Sequence, residues 1–102
     1  MATSADVRAA VLIDAAGGLL ASSDGDRDRS RRFAELAHGL VEAADAATSE
    51  PTEQIEVQIA EGTVFVMRDS RVAVACVAER LALPALVLYD LRETLRAEAA
   101  AA

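Results

Sequence analysis

The chain has 102 residues, of which 53% are apolar and 3% aromatic, and its formal net charge is −7. This acidic balance excludes nucleic acid and anionic membrane surfaces as partners, because phosphate binding needs a basic face. The single cysteine excludes an internal disulfide, and no apolar run approaches the ~20 residues that span a bilayer. The opening MATSADVR lacks the layout of a signal peptide, so we expect one cytoplasmic domain at 7–99, with a polar lead at 1–6 and a frayed tail at 100–102.

The first predicted elements are two strands joined by a glycine turn. Residues 7–14, VRAAVLID, form an apolar run that predicts a buried strand, and residues 19–23, LLASS, predict its return. Gly17 and Gly18 lie between them and supply the positive φ angles that a tight reversal needs. A charged loop, DGDRDRSR, follows at 24–31.

The clearest helical periodicity runs over residues 30–48. Apolar positions spaced i, i+3, i+4 and i+7 predict one buried stripe. The stripe comprises Phe33, Leu36, Ala37, Leu40, Val41 and Ala44. We expect Asp28 or Ser30 to cap the amino end, because either side chain can accept a backbone N–H. Pro51 ends the helix, since the residue before a proline avoids the helical conformation.

A three-stranded meander and a closing helix complete the chain. Alternating apolar residues predict the strands, and short polar pairs predict the turns. In chain order these are 54–59, Glu61-Gly62, 63–68, Asp69-Ser70 and 71–77. After a link at 78–83, Pro84 opens a helix that runs to about Ala99. Its predicted buried face comprises Val87, Leu88, Leu91 and Leu95. The order ββαβββα indicates an α+β fold.

This order, together with two local patterns, resembles the Roadblock/dynein light chain family, which includes MglB-like bacterial regulators of small Ras-like GTPases. The patterns are AAVLIDAAGGLLASS at 9–23 and LRETLR at 91–96. The resemblance implies a profilin-like, five-stranded antiparallel sheet carrying helices. It also implies a homodimer formed by the third strand and the long helix, which binds or scaffolds a small GTPase. Many members have a further helix before the first strand, and residues 1–6 are too few for one.

Two features of the residues themselves also indicate self-association. Gly39, Ala43 and Ala46 form a strip of small residues on the long helix, against which a second helix could pack closely. The strand at 54–59 places Ile55, Val57 and Ile59 on one face and has no lysine, internal proline or evident bulge to protect an edge. Pairing this strand with its copy would give a two-fold interface. The alternatives are a strip that faces water and a solvated edge in a monomer.

The charged loop has part of a calcium-binding spacing. Counted from Asp24, the oxygen-bearing side chains fall at positions 1, 3, 5, 7 and 12 of such a loop. They are Asp24, Asp26, Asp28, Ser30 and Glu35. Arg29 replaces the glycine expected at position 6, and Arg31 replaces the apolar residue at position 8. A solvated loop whose charges neutralise each other is the alternative to a metal site.

No other residues form a catalytic or cofactor-binding pattern. His38 is a lone histidine, and Cys76 lies within an apolar strand that predicts a core position. The chain lacks a phosphate-binding loop, so it is not itself a GTPase. We therefore expect no cofactor and a non-enzymatic homodimeric module that regulates or scaffolds a small Ras-like GTPase. The alternative is a small-molecule or Ca²⁺-sensing domain that uses the acidic loop at 24–35.

Overall fold

The computed structural model describes residues 7–79 and 84–101, which form five strands and two helices in the predicted order. The elements are β1 (Val7–Asp14), β2 (Leu19–Ser22), α1 (Arg27–Ala47), β3 (Gln54–Ile59), β4 (Gly62–Arg68), β5 (Val72–Ala78) and α2 (Pro84–Ala101). The polar lead predicted at 1–6, residues 80–83 of the predicted link and the last residue of the predicted tail lie outside the described residues. The limits of the domain stay a prediction.

The strands form one antiparallel sheet in the spatial order β2-β1-β5-β4-β3, which confirms the predicted five-stranded architecture. The last strand of the chain, β5, lies at the centre and pairs with β1 along one side and β4 along the other. Its sequence VAVACVA is almost continuously apolar, as a strand covered on both faces requires. The edges of the sheet are β2 and β3.

One helix covers each face of the sheet, and alternate residues of the strands face one helix or the other. The α1-face cluster comprises Val11, Ile13, Ala34, Ala37, Val41, Val64, Val66, Ala73 and Ala75. The α2-face cluster comprises Ala10, Leu12, Phe65, Met67, Val74, Cys76, Ala78, Val87, Leu91 and Leu95. The predicted apolar face of α2 is confirmed, with Leu88 packed against the edge of the cluster.

The prediction that Asp28 or Ser30 caps α1 is wrong, because the helix begins earlier and Asp26 is its cap. The backbone of Asp26 is extended, and its carboxylate accepts the N–H of Arg29 at 3.1 Å. Ser30 is instead buried inside the first turns, where its hydroxyl donates to the Asp26 carbonyl at 3.0 Å and lies 2.7 Å from the Ser22 hydroxyl. Ser30 thereby fastens the start of α1 to the end of β2.

The row of α1 that faces the sheet is also rotated from the predicted stripe. The buried residues are Ser30, Ala34, Ala37 and Val41. Leu36, which was predicted to be buried, is 48% exposed, and Phe33 and Leu40 are only half-buried. Small side chains at positions 30, 34 and 37 let α1 lie close to the sheet, so the larger apolar residues form one flank of the helix.

Candidate functional site

The edge strand β3 is the most open part of the sheet. It pairs with β4 in a continuous register from Gln54↔Met67 to Ile59↔Gly62, without a bulge. The described residues place no strand on its other side. The opposite edge, β2, has four residues and a register shift against β1. Short length and a bulge both limit pairing with another chain, so β3 is the better template for an added strand.

The ladder with β4 shows which backbone groups of β3 are free. Arg68 donates its backbone N–H to the Glu53 carbonyl at 3.0 Å. Because bonded and non-bonded pairs alternate along an antiparallel ladder, the backbone groups of Ile55 and Val57 point toward β4. Those that point to the open side belong to Gln54, Glu56 and Gln58.

The predicted interface residues of β3 lie on the same face of the sheet as α1. Ile55 and Val57 are opposite Val66 and Val64, which belong to the α1-face cluster. Ile55, Val57 and Ile59 are all half-buried. The polar residues between them face the other side, beyond the reach of α1. One face of the edge strand is therefore apolar and only partly covered.

The flank of α1 that faces β3 carries the apolar side chains left out of the buried row. His38, on the other flank, packs against Gly17 in the turn between β1 and β2, so its side of the helix faces the β2 edge. Phe33, Leu36 and Leu40 lie across the buried row from His38 and hence toward β3. Phe33 and Leu40 pack on the same cluster as Ile55 and Ile59. Apolar side chains of α1 and of the edge strand thus border the same cluster.

The small residues predicted to meet a second helix are on the surface of α1. Gly39, Ala43 and Ala46 are all exposed, and Ala43 lies beside Leu36 and Leu40 around the helix. A Cβ built at Gly39 would meet no atom within 4 Å. The structure therefore places the strip next to the apolar flank, and the interface through it stays a prediction.

An ion pair that sequence reasoning missed joins α1 to the sheet near the start of β3. The Asp45 carboxylate accepts two hydrogen bonds from Nη2 of Arg68, one of them at 2.6 Å, and a third from the Thr52 N–H at 2.9 Å. Nε of Arg68 donates to the Thr52 carbonyl. The Thr52 N–H first, and then Arg68, hold the pKa of Asp45 below its ordinary value. This network, the Asp45 latch, fixes the strip of α1 relative to β3.

Two carboxylates of the acidic loop, those of Asp24 and Asp26, contact neighbouring groups. Asp24 accepts the Asp26 N–H at 2.9 Å and lies 3.3 Å from Nε of Arg29, while Asp26 is 3.4 Å from Nη2 of the same arginine. Glu35 lies about two turns, or ~10 Å, along α1 from Asp28. The residues described by the structure contain no group of three or more potential ligands that could hold a metal ion. Calcium binding at the loop stays a prediction, which melting with and without Ca²⁺ would test.

Cys76 and His38, the other residues considered from the sequence, have only structural contacts among the described residues. Cys76 is fully buried, which confirms its predicted place in the core, and burial raises the pKa of its thiol to about 12. Nε2 of His38 lies 2.7 Å from the Glu42 carboxylate. Among the described residues, neither helix is both long and apolar enough to cross a membrane.

The chain is thus an α+β domain with an antiparallel five-stranded sheet, one helix on each face, and β2 and β3 at the edges. The family model described as the Roadblock/LC7 domain matches residues 1–79. The chain belongs to the Roadblock/LC7 domain family, as its sequence patterns predicted. The comparison with curated proteins finds no match.

Solved structures with the same fold support this assignment. A Roadblock/LC7 domain from Streptomyces avermitilis superposes with a TM-score of 0.83 at 23% identity, over 90% of this chain and 82% of that one. MglB from Myxococcus xanthus gives a TM-score of 0.71 at 18% identity, over 85% of this chain and 76% of that one. A structure of MglB with a tetrameric arrangement gives 0.77 at 19% identity, over 89% and 74% of the two chains. At these identities the likeness is one of fold.

Proposed function

We propose that the chain is a non-enzymatic homodimeric module that regulates or scaffolds a small Ras-like GTPase. Membership of the Roadblock/LC7 family and the MglB structures among its neighbours support this function. The observation that carries it is the open, regular edge of β3, whose half-buried apolar face borders the same cluster as the flank of α1. A surface with these properties fits a second protein chain better than a substrate.

In the proposed dimer, β3 pairs with its copy across a two-fold axis perpendicular to the sheet. Such an axis keeps each residue on its own face of the sheet, so one residue of β3 must lie opposite its own copy. The two residues in the middle of the strand, Glu56 and Val57, give the two registers with the most pairing. With Glu56 at the centre, two carboxylates face each other, which destabilises a cross-strand pair. With Val57 at the centre, Ile55 meets the copy of Ile59, and Glu56 meets the copy of Gln58. We assign the register centred on Val57.

The hydrogen bonding of β3 agrees with this register. Val57 directs its backbone toward β4, so it and its copy would form a non-hydrogen-bonded pair with Cα atoms ~4.5 Å apart. The free backbone groups of Glu56 and Gln58 would then bond to those of the copy. The same axis brings two α1 helices together on one face, where Gly39, Ala43 and Ala46 permit a close approach.

Cysteine cross-linking tests the register. In Val57→Cys the two thiols meet, and we expect a disulfide-linked dimer under mild oxidation, because the Cα atoms lie well within ~7 Å. In the matched variant Glu56→Cys, the two Cα atoms are ~8–9 Å apart and no cross-link is expected. Cys76 does not interfere, since it is buried. A cross-link at position 56 alone would contradict the register, and none at either position would contradict the dimer.

A charge placed in the helical strip tests the rest of the interface. Ala43→Arg should convert the dimer to a monomer in sedimentation velocity, because the guanidinium would be buried against a second helix. Ala97→Arg makes the same substitution at an exposed position of α2 and should leave the dimer intact. If both variants sediment like the wild type, the strip does not form the interface.

Affinity capture from the source lysate tests the GTPase. The wild-type chain is incubated with lysate loaded with a GTP analogue or with GDP, and bound proteins are identified by mass spectrometry. We expect a small GTPase enriched in one nucleotide state, and the direction of the enrichment tells which state the module recognises. The Ala43→Arg variant reports whether capture needs the dimer. Recovery of the chain alone, from both preparations, would refute the GTPase part of the proposal and leave the dimer standing.

A further inference from the structure

The other edge of the sheet, β2, borders a groove that the proposed dimer does not use. Ser23 donates its backbone N–H to the Ala10 carbonyl at 3.0 Å, so by the alternation of the ladder the backbone groups of Ser22 face away from β1. Leu20 has no partner in the register and is 54% exposed. The groove has a volume of about 470 Å³, and α1 forms its second wall.

Two arginines of α1 line this groove one turn apart. Arg27 and Arg31 are both exposed, and none of the ion pairs among the described residues includes either of them. Asp24 also lines the groove, but its carboxylate is paired with Arg29. Glu35, at the rim, is the remaining carboxylate in the lining. Among the described residues, the charged side chains of the lining that form no ion pair are therefore two arginines and one glutamate, on a chain whose net charge is −7.

A second copy of the chain is a poor occupant. Two-fold pairing of β2 with itself would place both α1 helices on one face and would bring Arg27 and Arg31 toward their own copies. Like charges held close together oppose such a contact. The strand is also short and bulged, so it offers hydrogen bonds to only a few residues of an added segment.

We propose that the groove between β2 and α1 binds an extended acidic segment of a partner protein, with carboxylates at alternate residues. Four residues along a helix rise ~6 Å, which is the separation of Arg27 and Arg31 along α1. Two residues along an extended strand rise ~6.7 Å, so alternate carboxylates match the two guanidinium groups. The free backbone groups of Ser22 bond the added segment, and Leu20 covers its apolar side chains.

This site is independent of the proposed dimer, because β2 and β3 are opposite edges of the sheet. A dimer would therefore carry two such grooves, one at each outer end of its continuous sheet. Loss of the dimer leaves the groove intact, and loss of groove binding leaves the dimer intact. Sedimentation of each variant separates the two outcomes.

The test uses a fluorescein-labelled peptide of alternating valine and glutamate as the probe. We expect its anisotropy to rise on titration with the full chain at ~50 mM salt and the affinity to fall at ~300 mM salt, where screening is stronger. The double variant Arg27→Glu, Arg31→Glu should bind about tenfold more weakly. The control Arg32→Glu, Arg92→Glu makes the same change in net charge at exposed arginines outside the groove and should bind like the wild type.

Two further measurements make the result decisive. A peptide with lysine in place of glutamate should not bind, and the amide resonances that shift on adding the acidic peptide should lie in β2 and the first turns of α1. Equal binding of the lysine peptide, equal loss of affinity in the control variant, or shifts confined to β3 would each overturn the proposal. Far-UV circular dichroism of both double variants confirms that they are folded.

Discussion

The packing of α1 on the turn between β1 and β2 can be tested by substituting a glycine of that turn. Gly17 has φ of 90°, and a Cβ built there would lie 2.8 Å from Cγ of His38. Replacement by alanine therefore imposes two costs. The left-handed conformation costs an L-residue ~1–2 kcal/mol, and displacement of a packed side chain adds ~1–2 kcal/mol. We expect Gly17→Ala to lower the free energy of unfolding by ~2–4 kcal/mol, a large share of the 5–15 kcal/mol typical of a domain.

Urea unfolding followed by far-UV circular dichroism measures this loss. All variants are compared at one protein concentration, because a dimer makes apparent stability depend on concentration. Gly25→Ala is the matched control, since its Cβ would meet no atom within 4 Å and its φ lies outside the left-handed region. Its effect should stay within ~0.5 kcal/mol.

A double-mutant cycle separates the two costs. In a His38→Ala background the clash is absent, so Gly17→Ala should cost only the ~1–2 kcal/mol of the backbone conformation. An equal cost in both backgrounds would refute the role of His38. If Gly17→Ala is no more destabilising than Gly25→Ala, the whole reasoning about the turn fails.

Three further predictions concern the helix strip, the core and the latch. In the monomeric Ala43→Arg background, Gly39→Ala should raise the free energy of unfolding by ~1 kcal/mol, because alanine favours the helix and space is open; a decrease would contradict this. Cys76, with its pKa raised to about 12 by burial, should react with Ellman's reagent at pH 8 only after unfolding, and rapid labelling of the native chain would be inconsistent with that burial. Backbone N–H donors lower the folded-state pKa of Asp45 and Asp69 below the ordinary 3.8. The two ionised carboxylates therefore contribute their full stabilisation above pH 3.8, and this stabilisation is lost as the pH falls through their folded-state pKa values. Urea unfolding at a series of acidic pH values should show this decline, and Asp45→Asn should make it shallower; an unchanged profile would argue against the latch.

The sequence predicted the element order correctly because each element has its own local periodicity. The bounds predicted for β1 and β3 agree with the structure, and Gly17 does adopt a positive φ in the predicted turn. The start of α1 was predicted three residues late, because DGDRDRSR contains several residues able to cap a helix. Only the extended backbone of Asp26 and its bond to the Arg29 N–H identify the cap.

The sequence indicated which residues form the candidate interface, but it did not indicate the open sheet edge or the ion pair beside them. The apolar alternation of β3 and the small-residue strip of α1 are visible along the chain. The open edge itself required the pairing order, because any of several strands could have lain beside β3. The Asp45 latch joins residues 23 positions apart, and no local pattern pairs Asp45 with Arg68.

By itself, the sequence determined the number and order of the elements, the apolar face of α2 and the acidic surface. The elements and the apolar face follow from side-chain periodicity over a few neighbouring residues. The acidic surface follows from the composition. Only the tertiary structure decided that β5 lies between β1 and β4, that β3 is left at an edge, and that Leu36 is exposed on α1. Strand order and helix rotation depend on which distant surfaces pack best, and that choice is made by the whole sheet and its two helices together.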